Sequence, residues 1–329
     1  MTRSSGWPAP RLERVLLGPM RAALLEASFE TGLLHALART GGRPRRPDEL
    51  ARRARISGAG AALLLAGLQE LGWARRGGGG WSLTPLGRTE LAAGAGALRG
   101  ALDLTCALNW RLFPMLRRAA RKGGAVVPRQ LARGAEARRV AALSTLAGAA
   151  VAPAAAGLRQ ILGAGGLRRW LDVGAGAGRL SFGLLRRFPR AMAVLVDRPH
   201  VVRSSRRGAP AVVAERVRWR PGDILERSWG REFDAVLLSQ VLSEAPDLDD
   251  WFARAAAALR PAGVLLVHDT FAGRRGFPLA LQALLMLLGP RPPRRAADVM
   301  RALQRNRFQV VRKQRPTRWT QLWLARLRG

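Results

Sequence analysis

The 329-residue sequence predicts an α/β protein, and three of its features favour that fold class. In the C-terminal half, apolar strands alternate with helices, which is typical of a doubly wound parallel sheet. A glycine-rich turn at residues 172–178 joins one of these strands to the helix that follows it. In the N-terminal part, three helices precede a short hairpin, which is the pattern of a winged helix. A chain of this length can form two domains.

The net charge of +34 comes almost entirely from arginine, because lysine occurs only at Lys122 and Lys313. Such a charge ordinarily indicates a nucleic acid or an anionic membrane as partner. Tyrosine is absent, however, asparagine and isoleucine are scarce, and alanine, glycine and proline are abundant. A GC-rich coding bias explains this composition better than a polyanionic partner does. We therefore expect no specific nucleic-acid binding, and only nonspecific binding of polyanions at low salt.

The sequence also bears on location. Cys106 is the only cysteine, so no intrachain disulfide can form and a cytoplasmic protein is expected. No signal peptide is recognised at the N-terminus. Residues 141–158 lack charges but are alanine-rich and contain Pro153, and residues 277–288 are too short to span a bilayer. Both segments are interpreted as buried helices, and no membrane span is predicted.

The N-terminal elements follow from apolar periodicity and from capping signals. A helix is expected over residues 11–38, a second from Pro47, and a third over residues 61–71, which Ser57 caps. A hairpin with a glycine tip follows. Together these elements predict a winged-helix domain at residues 11–97.

Winged helices often bind DNA, so DNA binding is one interpretation of this domain. The third helix, however, has no polar side chain before Gln69 that could reach base edges, since it consists mostly of alanine and leucine. Dimerisation is the interpretation that the sequence favours. Residues 98–160 are alanine-rich and helical, and we expect them to link two domains and to cap a substrate cavity.

Residues 161–329 are predicted to form a Rossmann-like domain. Its strands are expected at residues 170–173, 193–196, 217–220, 233–238 and 263–267. The turn after the first strand has the spacing G-x-G-x-G, at Gly174, Gly176 and Gly178, and Asp172 precedes it. Backbone in such a turn can approach a ligand at the N-terminus of the following helix.

Carboxylates follow two of the other strands. Asp197 lies 19 residues after Gly178 and can accept hydrogen bonds from both hydroxyls of a ribose. Asp223 follows the third strand, where a carboxylate suits an adenine amino group. These features predict a ligand that contains a nucleotide sugar, and NAD would satisfy the ribose carboxylate as well.

The motifs D-x-G-x-G-x-G, LVDRPHVV, PGDIL, FDAVLLSQVL and PAGVLLVHD occur in an order that resembles the class I S-adenosylmethionine-dependent methyltransferases. More narrowly, VDRPHVV and GDIL are similar to motifs of the plant caffeate and hydroxyindole O-methyltransferase family, and ISGAGAALLLAGLQELG resembles its N-terminal dimerisation domain. The resemblance implies S-adenosylmethionine as cofactor and a homodimer. The implied cofactor-binding residues are Asp172, Gly174, Gly176 and Gly178 at the methionine portion, Asp197 at the ribose, Asp223 near the adenine, and Ser239 and Gln240 beside the sulfonium.

In that family a histidine after the fourth strand commonly acts as general base. In this sequence Ser243 stands at the matching position, with Glu244 in place of the acid beside it. Asp269 matches the acid that orients the histidine, and His268 precedes it at the end of the fifth strand. The candidates for the base are therefore His268 and Glu244, and catalysis without a dedicated base stays open. No metal ligands are predicted.

The resemblance implies methyl transfer to a hydroxyl of an apolar or aromatic small molecule, such as a secondary metabolite or a pigment. Several apolar residues either line a pocket for this acceptor or belong to the core: Phe271, Phe277, Leu281, Leu284, Leu285 and Met286. Two alternatives stay open. One is a C-methyltransferase, and the other is a catalytically impaired relative that keeps the fold as a binding or regulatory module.

Overall fold

A computed structural model describes residues 10–92, 102, 129–163, 166–225, 229–272, 291, 293–317 and 320–328. The chain divides into two compact units, Met1–Trp110 and Arg111–Gly329. The sequence predicted three segments, 11–97, 98–160 and 161–329. These segments and the roles assigned to them remain predictions.

The first unit begins with four helices: α1 (Pro10–Glu30), α2 (Leu33–Ala38), α3 (Pro47–Ala54) and α4 (Gly58–Glu70). The single helix expected over residues 11–38 is wrong, because the chain turns at Gly32, whose φ of 78° lies in the left-handed region that glycine tolerates. The predicted cap of the third helix is confirmed: the Gly60 N–H donates to Oγ of Ser57 at 3.0 Å.

A hairpin and a fifth helix follow: β1 (Ala74–Gly77), β2 (Gly80–Leu83) and α5 (Pro85–Ala92). The two strands pair antiparallel, and the two residues between them, Gly78 and Gly79, have φ of 59° and 78°. A two-residue hairpin loop with positive φ at both positions is what glycine allows. The order of helices and hairpin agrees with the prediction, while the winged-helix assignment and the dimerisation role remain predictions.

The second unit is built on a seven-stranded sheet. Its strands are β3 (Arg169–Val173), β4 (Met192–Asp197), β5 (Val217–Pro221), β6 (Phe233–Ser239), β7 (Leu259–Asp269), β8 (Phe308–Gln314) and β9 (Gln321–Leu327). Their order across the sheet is β5-β4-β3-β6-β7-β9-β8. The first five pair in parallel, and β9 runs antiparallel to both β7 and β8. The predicted α/β class and the five predicted strands are confirmed, whereas a purely parallel sheet is wrong.

Helices cover both faces of this sheet: α6 (Arg129–Leu162), α7 (Arg179–Arg187), α8 (Pro199–Arg207), α9 (Ala211–Ala214), α10 (Leu248–Ala258) and α11 (Ala296–Arg305). Successive residues of a strand point to opposite faces. Accordingly, Leu237 of β6 packs in one core with α6 and α7, and Leu238 packs in the other core with α10 and α11. The strand order reverses between β3 and β6, so the carboxyl ends of these two strands form the crevice where open α/β sheets bind ligands.

The alanine-rich segment 141–158 lies within α6, and small residues such as Ala150 and Ala154 are buried on the inner face of this helix. No helix in the described part of the chain is both long enough and apolar enough to cross a membrane. The segment 277–288, with Phe277, Leu281, Leu284, Leu285 and Met286, lies outside the described residues.

Candidate active site

The glycine-rich turn links β3 to α7 at the crevice. Gly174 and Gly176 have φ of 68° and 55°. The N–H of Gly174 donates to the carbonyl oxygen of Val196 at 2.9 Å, which holds the turn against β4. A Cβ on Gly174 would lie 2.6 Å from Cγ2 of Val241, so a side chain does not fit there. The turn therefore presents backbone groups to the space beside it.

Asp197 ends β4, and two backbone groups orient its carboxylate. The Gly176 N–H donates to Oδ2 at 2.8 Å, and the Arg198 N–H donates to Oδ1 at 2.7 Å. A carboxylate offers about four acceptor positions, so Asp197 is also suited to a diol such as that of a ribose. Both of these donors belong to the backbone, at the glycine turn and at the residue after β4.

Asp172 lies at the end of β3 and is only 2% exposed. Oγ of Ser181 donates to its Oδ2 at 2.6 Å, and Nε1 of Trp170 donates to Oγ of Ser181 at 2.9 Å. Burial raises the pKa of the Asp172 carboxyl to about 7, the Ser181 hydrogen bond opposes this rise, and the charge of Asp197 adds to it. The charge of Asp172 therefore changes near neutral pH, and a cationic ligand group would favour the ionised form.

Asp223 follows β5 and is exposed. Its Oδ1 accepts a hydrogen bond from the Leu225 N–H at 2.8 Å, which fixes the carboxylate at the start of the loop. The neighbouring Gly222 N–H donates to the carbonyl oxygen of Asp197 at 3.0 Å. The ends of β4 and β5 are thus joined, and their two carboxylates border the same crevice.

The end of β6 contacts the end of β7. Oγ of Ser239 lies 3.0 Å from Nδ1 of His268, and the Gln240 N–H donates to the His268 carbonyl oxygen at 2.7 Å. Gln240 has φ of 55°, a left-handed conformation that costs a residue other than glycine about 1–2 kcal/mol. The hydrogen bond to the His268 carbonyl oxygen holds the backbone of Gln240 at the end of β6.

His268 is fully buried, and its Nε2 has no hydrogen-bond partner among the described residues. Burial lowers the pKa of the imidazole to about 4. The ring is therefore neutral at neutral pH and lies behind Ser239.

One cavity of about 220 Å³ lies beside the glycine turn and the ends of β3, β4, β5 and β6. Its lining includes Asp172, Gly174, Gly176, Asp197, Asp223, Ser239 and Gln240, together with Glu244 and with Leu143 and Ser144 of α6. Seven of the eight residues predicted to bind the cofactor thus line one cavity. The exception is Gly178, which is the N-cap residue of α7, and on which a Cβ would lie 2.6 Å from the ring of Phe182.

A second cavity of about 30 Å³ adjoins the first, and Gln240 and Leu143 line both. The other residues of its lining are Leu242, Ser243, Asp269, Thr270, Phe271, Arg291, Pro293 and Arg294. The Leu242 N–H donates to Oδ2 of Asp269 at 3.0 Å, and the Thr270 N–H donates to Oδ1 at 2.7 Å. Asp269 therefore connects β7 to the loop that follows β6.

Two arginines hold that loop through its carbonyl oxygens. Nη1 of Arg291 donates to the carbonyl oxygen of Glu244 at 2.9 Å. Arg294 donates to the carbonyl oxygens of Leu242, at 3.4 Å, and of Ala245. Burial, and then the charge of Arg291, lower the pKa of Arg294. The loop is thus positioned by side chains that lie about 50 residues further along the chain.

The structure separates the four predicted catalytic residues. Glu244 lines the first cavity, and Ser243 and Asp269 line the second. His268 lies in neither lining, as expected if neighbouring strand residues face opposite ways. The predicted acceptor residue Phe271 lines the second cavity and stacks on Trp323, with ring centroids 4.7 Å apart.

Sequence reasoning missed Ser181, Arg291 and Arg294. A signal for Ser181 exists, since a buried acid before a glycine turn needs a donor, and the first turns of the next helix are the nearest source. No comparable signal identifies the arginines among the 56 basic residues of the chain. No group of histidine, cysteine, aspartate and glutamate among the described residues could hold a metal ion.

Comparison with known proteins agrees with this architecture. Residues 171–265 match the family described as a methyltransferase domain. A stretch of 105 residues is 30% identical to the ubiquinone/menaquinone biosynthesis C-methyltransferase UbiE of Dinoroseobacter shibae, and it covers 31% of this chain and 42% of that protein. The chain therefore spans less than half of the length of this relative.

Solved structures match along almost the whole chain. Human N-acetylserotonin methyltransferase in complex with SAM superimposes with a TM-score of 0.75 at 22% identity and covers 99% of both chains. The mitomycin 7-O-methyltransferase superimposes with a TM-score of 0.71 at 22% identity and covers 97% of both. At these identities the likeness establishes the fold. Residues 171–265 match a methyltransferase domain and the chain has the fold of the O-methyltransferases, so the predicted family resemblance is confirmed at the level of the fold.

Proposed function

We propose that the protein is an S-adenosylmethionine-dependent methyltransferase that methylates a hydroxyl of an apolar or aromatic small molecule. The observation that carries the proposal is the first cavity, which gathers the glycine turn and three strand-end carboxylates at the crevice of the sheet. The solved relatives add support, since one was determined in complex with SAM and another is a mitomycin O-methyltransferase.

The residues of the first cavity fit the parts of this cofactor. Asp197 suits the ribose hydroxyls, because backbone N–H groups fix its carboxylate. Asp172 suits the amino group of the methionine portion, since an adjacent cation compensates the cost of ionising a buried carboxyl. Asp223 suits the adenine amino group, and Ser239 and Gln240 border the reacting centre.

When bound, S-adenosylmethionine supplies an electrophilic methyl group. The chain must then align a nucleophile with it and accept a proton, and alignment alone can contribute several kcal/mol. Glu244 is our candidate for the proton acceptor, because it lines the first cavity, where the methyl group of the cofactor would lie. His268 is a positioning residue for Ser239, since a buried imidazole of low pKa is a poor base.

Binding of S-adenosylhomocysteine, measured by isothermal titration calorimetry, tests the cofactor. We expect Asp197→Ala to weaken binding by about 100-fold, since hydrogen bonds to a charged group contribute about 1.5–3 kcal/mol. Asp250→Ala is the matched control, because Asp250 is an exposed carboxylate that pairs with Arg254 outside the cavity. Equal affinity of Asp197→Ala and wild type would refute the proposal.

Transfer of a tritiated methyl group to extracts of pigments and aromatic metabolites tests the activity. Binding of the cofactor without transfer to any acceptor would favour the impaired relative. A C-methyltransferase is a second candidate, because the 30%-identical stretch belongs to a C-methyltransferase. The carbon chemical shift of the transferred methyl group distinguishes a product methylated on oxygen from one methylated on carbon.

We further propose a cytoplasmic homodimer that forms through the N-terminal unit. Three large apolar residues are exposed there: Met20 (63%), Leu63 (66%) and Leu86 (49%). A dimer interface on this unit would remove these apolar side chains from water. Light scattering should give twice the monomer mass, and Leu63→Glu should shift the protein toward monomer. A monomeric wild type at micromolar concentration would refute the dimer.

A further inference from the structure

One face of the seven-stranded sheet is only partly covered by helices. Connections in a doubly wound sheet usually contain a helix, but the described residues between β5 and β6 form none. The two helices on this face, α10 and α11, pack mainly against β6, β7 and β8. A groove of about 610 Å³ lies over the remaining strands, β3 to β5, beside the start of β6.

Three arginines line this groove, which we call the basic groove: Arg169 of β3, and Arg218 and Arg220 of β5. The register of the strands places them on one face. Arg218 pairs with Val194 of β4, and Val194 is buried in the core that includes α10 and α11. Leu171 of β3 belongs to the same core, so Arg169, two residues earlier, faces the same way. Strand positions that face a helix are ordinarily apolar, and these arginines occur where no described helix covers the sheet.

Neighbouring groups hold two of the arginines in place. The guanidinium carbon of Arg169 lies 4.6 Å from the centre of the Phe233 ring, and Nη1 of Arg220 donates to the carbonyl oxygen of Trp229 at 3.2 Å. A Cβ on Gly230 would lie 3.4 Å from the Phe233 ring, so the glycine leaves room at this wall. The contact with Phe233 uses the face of the Arg169 guanidinium, and the N–H donors at its edge remain for a ligand.

The wall of the basic groove does not balance its own charge. No aspartate or glutamate is among the described residues that line it. Asp234 lies close to Arg169, but its carboxylate pairs with Arg260 at 2.7 Å and accepts hydrogen bonds from the N–H groups of Arg168 and Arg169. Neither Arg169 nor Arg218 forms an ion pair with a carboxylate in the described part of the chain. An anion would therefore reach these two guanidinium groups without displacing a carboxylate.

The spacing of the arginines restricts the kind of anion. Arg218 and Arg220 are two residues apart on one strand, which is roughly 7 Å, and Arg169 lies two strands away, which is roughly 10 Å. Positive charge spread over such distances is matched better by several linked anionic groups than by one. Guanidinium groups bind phosphate oxygens in a bidentate manner, so a chain of phosphates suits this wall.

The aromatic residues of the groove favour a small phosphate ligand over a nucleic-acid strand. Proteins that bind single strands commonly stack bases on exposed aromatic rings. Phe233, however, is only 1% exposed, and Trp219 packs against the opposite core, where it meets Phe182 edge-on. No ring in the described wall is thus placed for stacking, while the volume lies in the range of sites for small ligands.

We propose that the basic groove is a binding site for a small anion with linked phosphate groups, such as a triphosphate, which Arg169 and Arg218 bind and Arg220 flanks. The inference does not rest on the proposed function, because the groove and the first cavity share no lining residue. Such an anion would bind together with the cofactor and not in its place.

Calorimetric titration with inorganic tripolyphosphate tests the proposal at about 0.15 M salt, where attraction between distant charges is screened. We expect one tripolyphosphate per chain, with affinities that agree within twofold with and without S-adenosylhomocysteine. Arg218→Gln should weaken binding at least tenfold, and Arg218 is exposed, so the variant should fold. Arg218→Lys should retain part of the affinity, since lysine keeps the charge but not the bidentate geometry.

Arg169→Gln provides a second variant on a different strand and should also weaken binding at least tenfold. Arg231→Gln is the charge-matched control, because Arg231 is exposed and follows Gly230 but lies outside the lining. It should bind within twofold of the wild type. Equal losses in Arg231→Gln and Arg218→Gln would indicate nonspecific attraction to a basic protein and would overturn the proposal. Full affinity in both Arg218→Gln and Arg169→Gln would overturn it as well.

Other anions sharpen the test. Orthophosphate should bind at least tenfold more weakly than tripolyphosphate, and equal affinities would overturn the inference of linked phosphates. Binding of a single-stranded oligonucleotide through Arg218, without binding of tripolyphosphate, would assign the groove to nucleic acid and would also count against the proposal. If tripolyphosphate shows no saturable binding, the inference is wrong, whereas failure of S-adenosylhomocysteine to bind would refute only the proposed function.

Discussion

The two neighbouring cavities are built in different ways. In the first, backbone groups orient two of the three carboxylates, since two N–H groups fix Asp197 and one fixes Asp223, while the nearby Ser181 hydroxyl holds Asp172. In the second, the arginine side chains of Arg291 and Arg294 reach back across 47 to 52 residues of sequence to hold the loop. Gln240, with its strained backbone, belongs to both linings.

This difference indicates that the two cavities have different roles. A binding site made of strand ends and a glycine turn changes only if the sheet changes. A site made of long side chains on a loop can change its ligand through single substitutions without a change in the sheet. We therefore expect the first cavity to determine the cofactor and the second to determine the acceptor, and four predictions test the comparison.

The largest effect is expected from Glu244→Gln, which removes the proposed proton acceptor. The turnover number should fall by about 100-fold or more, since general base catalysis typically contributes a factor of 10²–10⁴. Affinity for S-adenosylhomocysteine should stay within about twofold of the wild type. Ser243→Ala, at the adjacent residue, is the control and should retain turnover within about threefold. The assignment fails if Ser243→Ala loses turnover and Glu244→Gln keeps it.

The next effect is expected from Gly174→Ala, which tests whether the first cavity depends on backbone shape. The added Cβ meets Val241 at 2.6 Å, and φ of 68° adds strain. A cost of about 2 kcal/mol would weaken cofactor binding by roughly 30-fold or lower stability by the same free energy. Calorimetry and thermal unfolding measure the two. Gly148→Ala is the control, because nothing lies within 4 Å of its Cβ position. A neutral Gly174→Ala would show that backbone shape is not decisive.

A pH dependence of about tenfold is expected from Asp172. Its pKa is raised to about 7, so the carboxyl is mostly neutral at pH 6 and mostly ionised at pH 8. A cationic cofactor group prefers the ionised form, so affinity for S-adenosylmethionine should rise up to tenfold across this range. Calorimetry at both pH values measures it, and in Asp172→Asn the dependence should disappear. A flat wild-type profile would contradict this role.

The smallest effect on turnover is expected from His268→Gln. Because the ring of His268 contacts Ser239 and does not line the second cavity, turnover should change by about threefold or less at every pH. If His268 were the general base, its substitution would remove most of the activity. The fall of turnover at low pH, which protonation of the base causes, would disappear as well. A loss of more than 100-fold would restore His268 as the base.

The stability of His268→Gln provides a second measurement. The folded pKa of His268 is lowered to about 4, so its contribution to the free energy of unfolding is complete above pH 6.5 and is lost as the pH falls toward 4. That contribution amounts to about 3 kcal/mol. Asp172 acts in the opposite direction over the same range, because its pKa is raised, so the difference between the two proteins isolates His268. Denaturant unfolding at pH 4.5 and 7 measures it.

The sequence predicted the first cavity well because its geometry is local. The glycine spacing and the carboxylates after β4 and β5 each follow a strand that apolar residues define, and parallel strands bring their carboxyl ends together. The same logic brought Ser239 and Gln240 to this cavity, which both residues line, and their place beside the sulfonium stays a prediction. Gly178 was assigned to the ligand, although its lack of a side chain instead leaves space for the ring of Phe182.

The second cavity was only partly accessible to sequence reasoning, for a physical reason. Ser243 and Asp269 could be placed because they follow strands. Arg291 and Arg294 act through contacts about 50 residues away, and no local pattern distinguishes them from the other arginines. The antiparallel strands β8 and β9 were missed as well. The alternating exposed residues of β8 resemble a solvated segment as much as a strand, whereas β9 is mostly buried.

The position of β9 has a consequence for how the sheet is completed. It lies between β7 and β8, although β8 precedes it along the chain. Until β9 is in place, β7 has an unpaired edge made of fully buried residues such as Leu265 and Leu266, and β8 has no strand to join. During synthesis on the ribosome, the half of the sheet that holds the first cavity can therefore assemble while the edge of β7 is still unpaired. An unpaired edge of that kind is prone to pair with other chains.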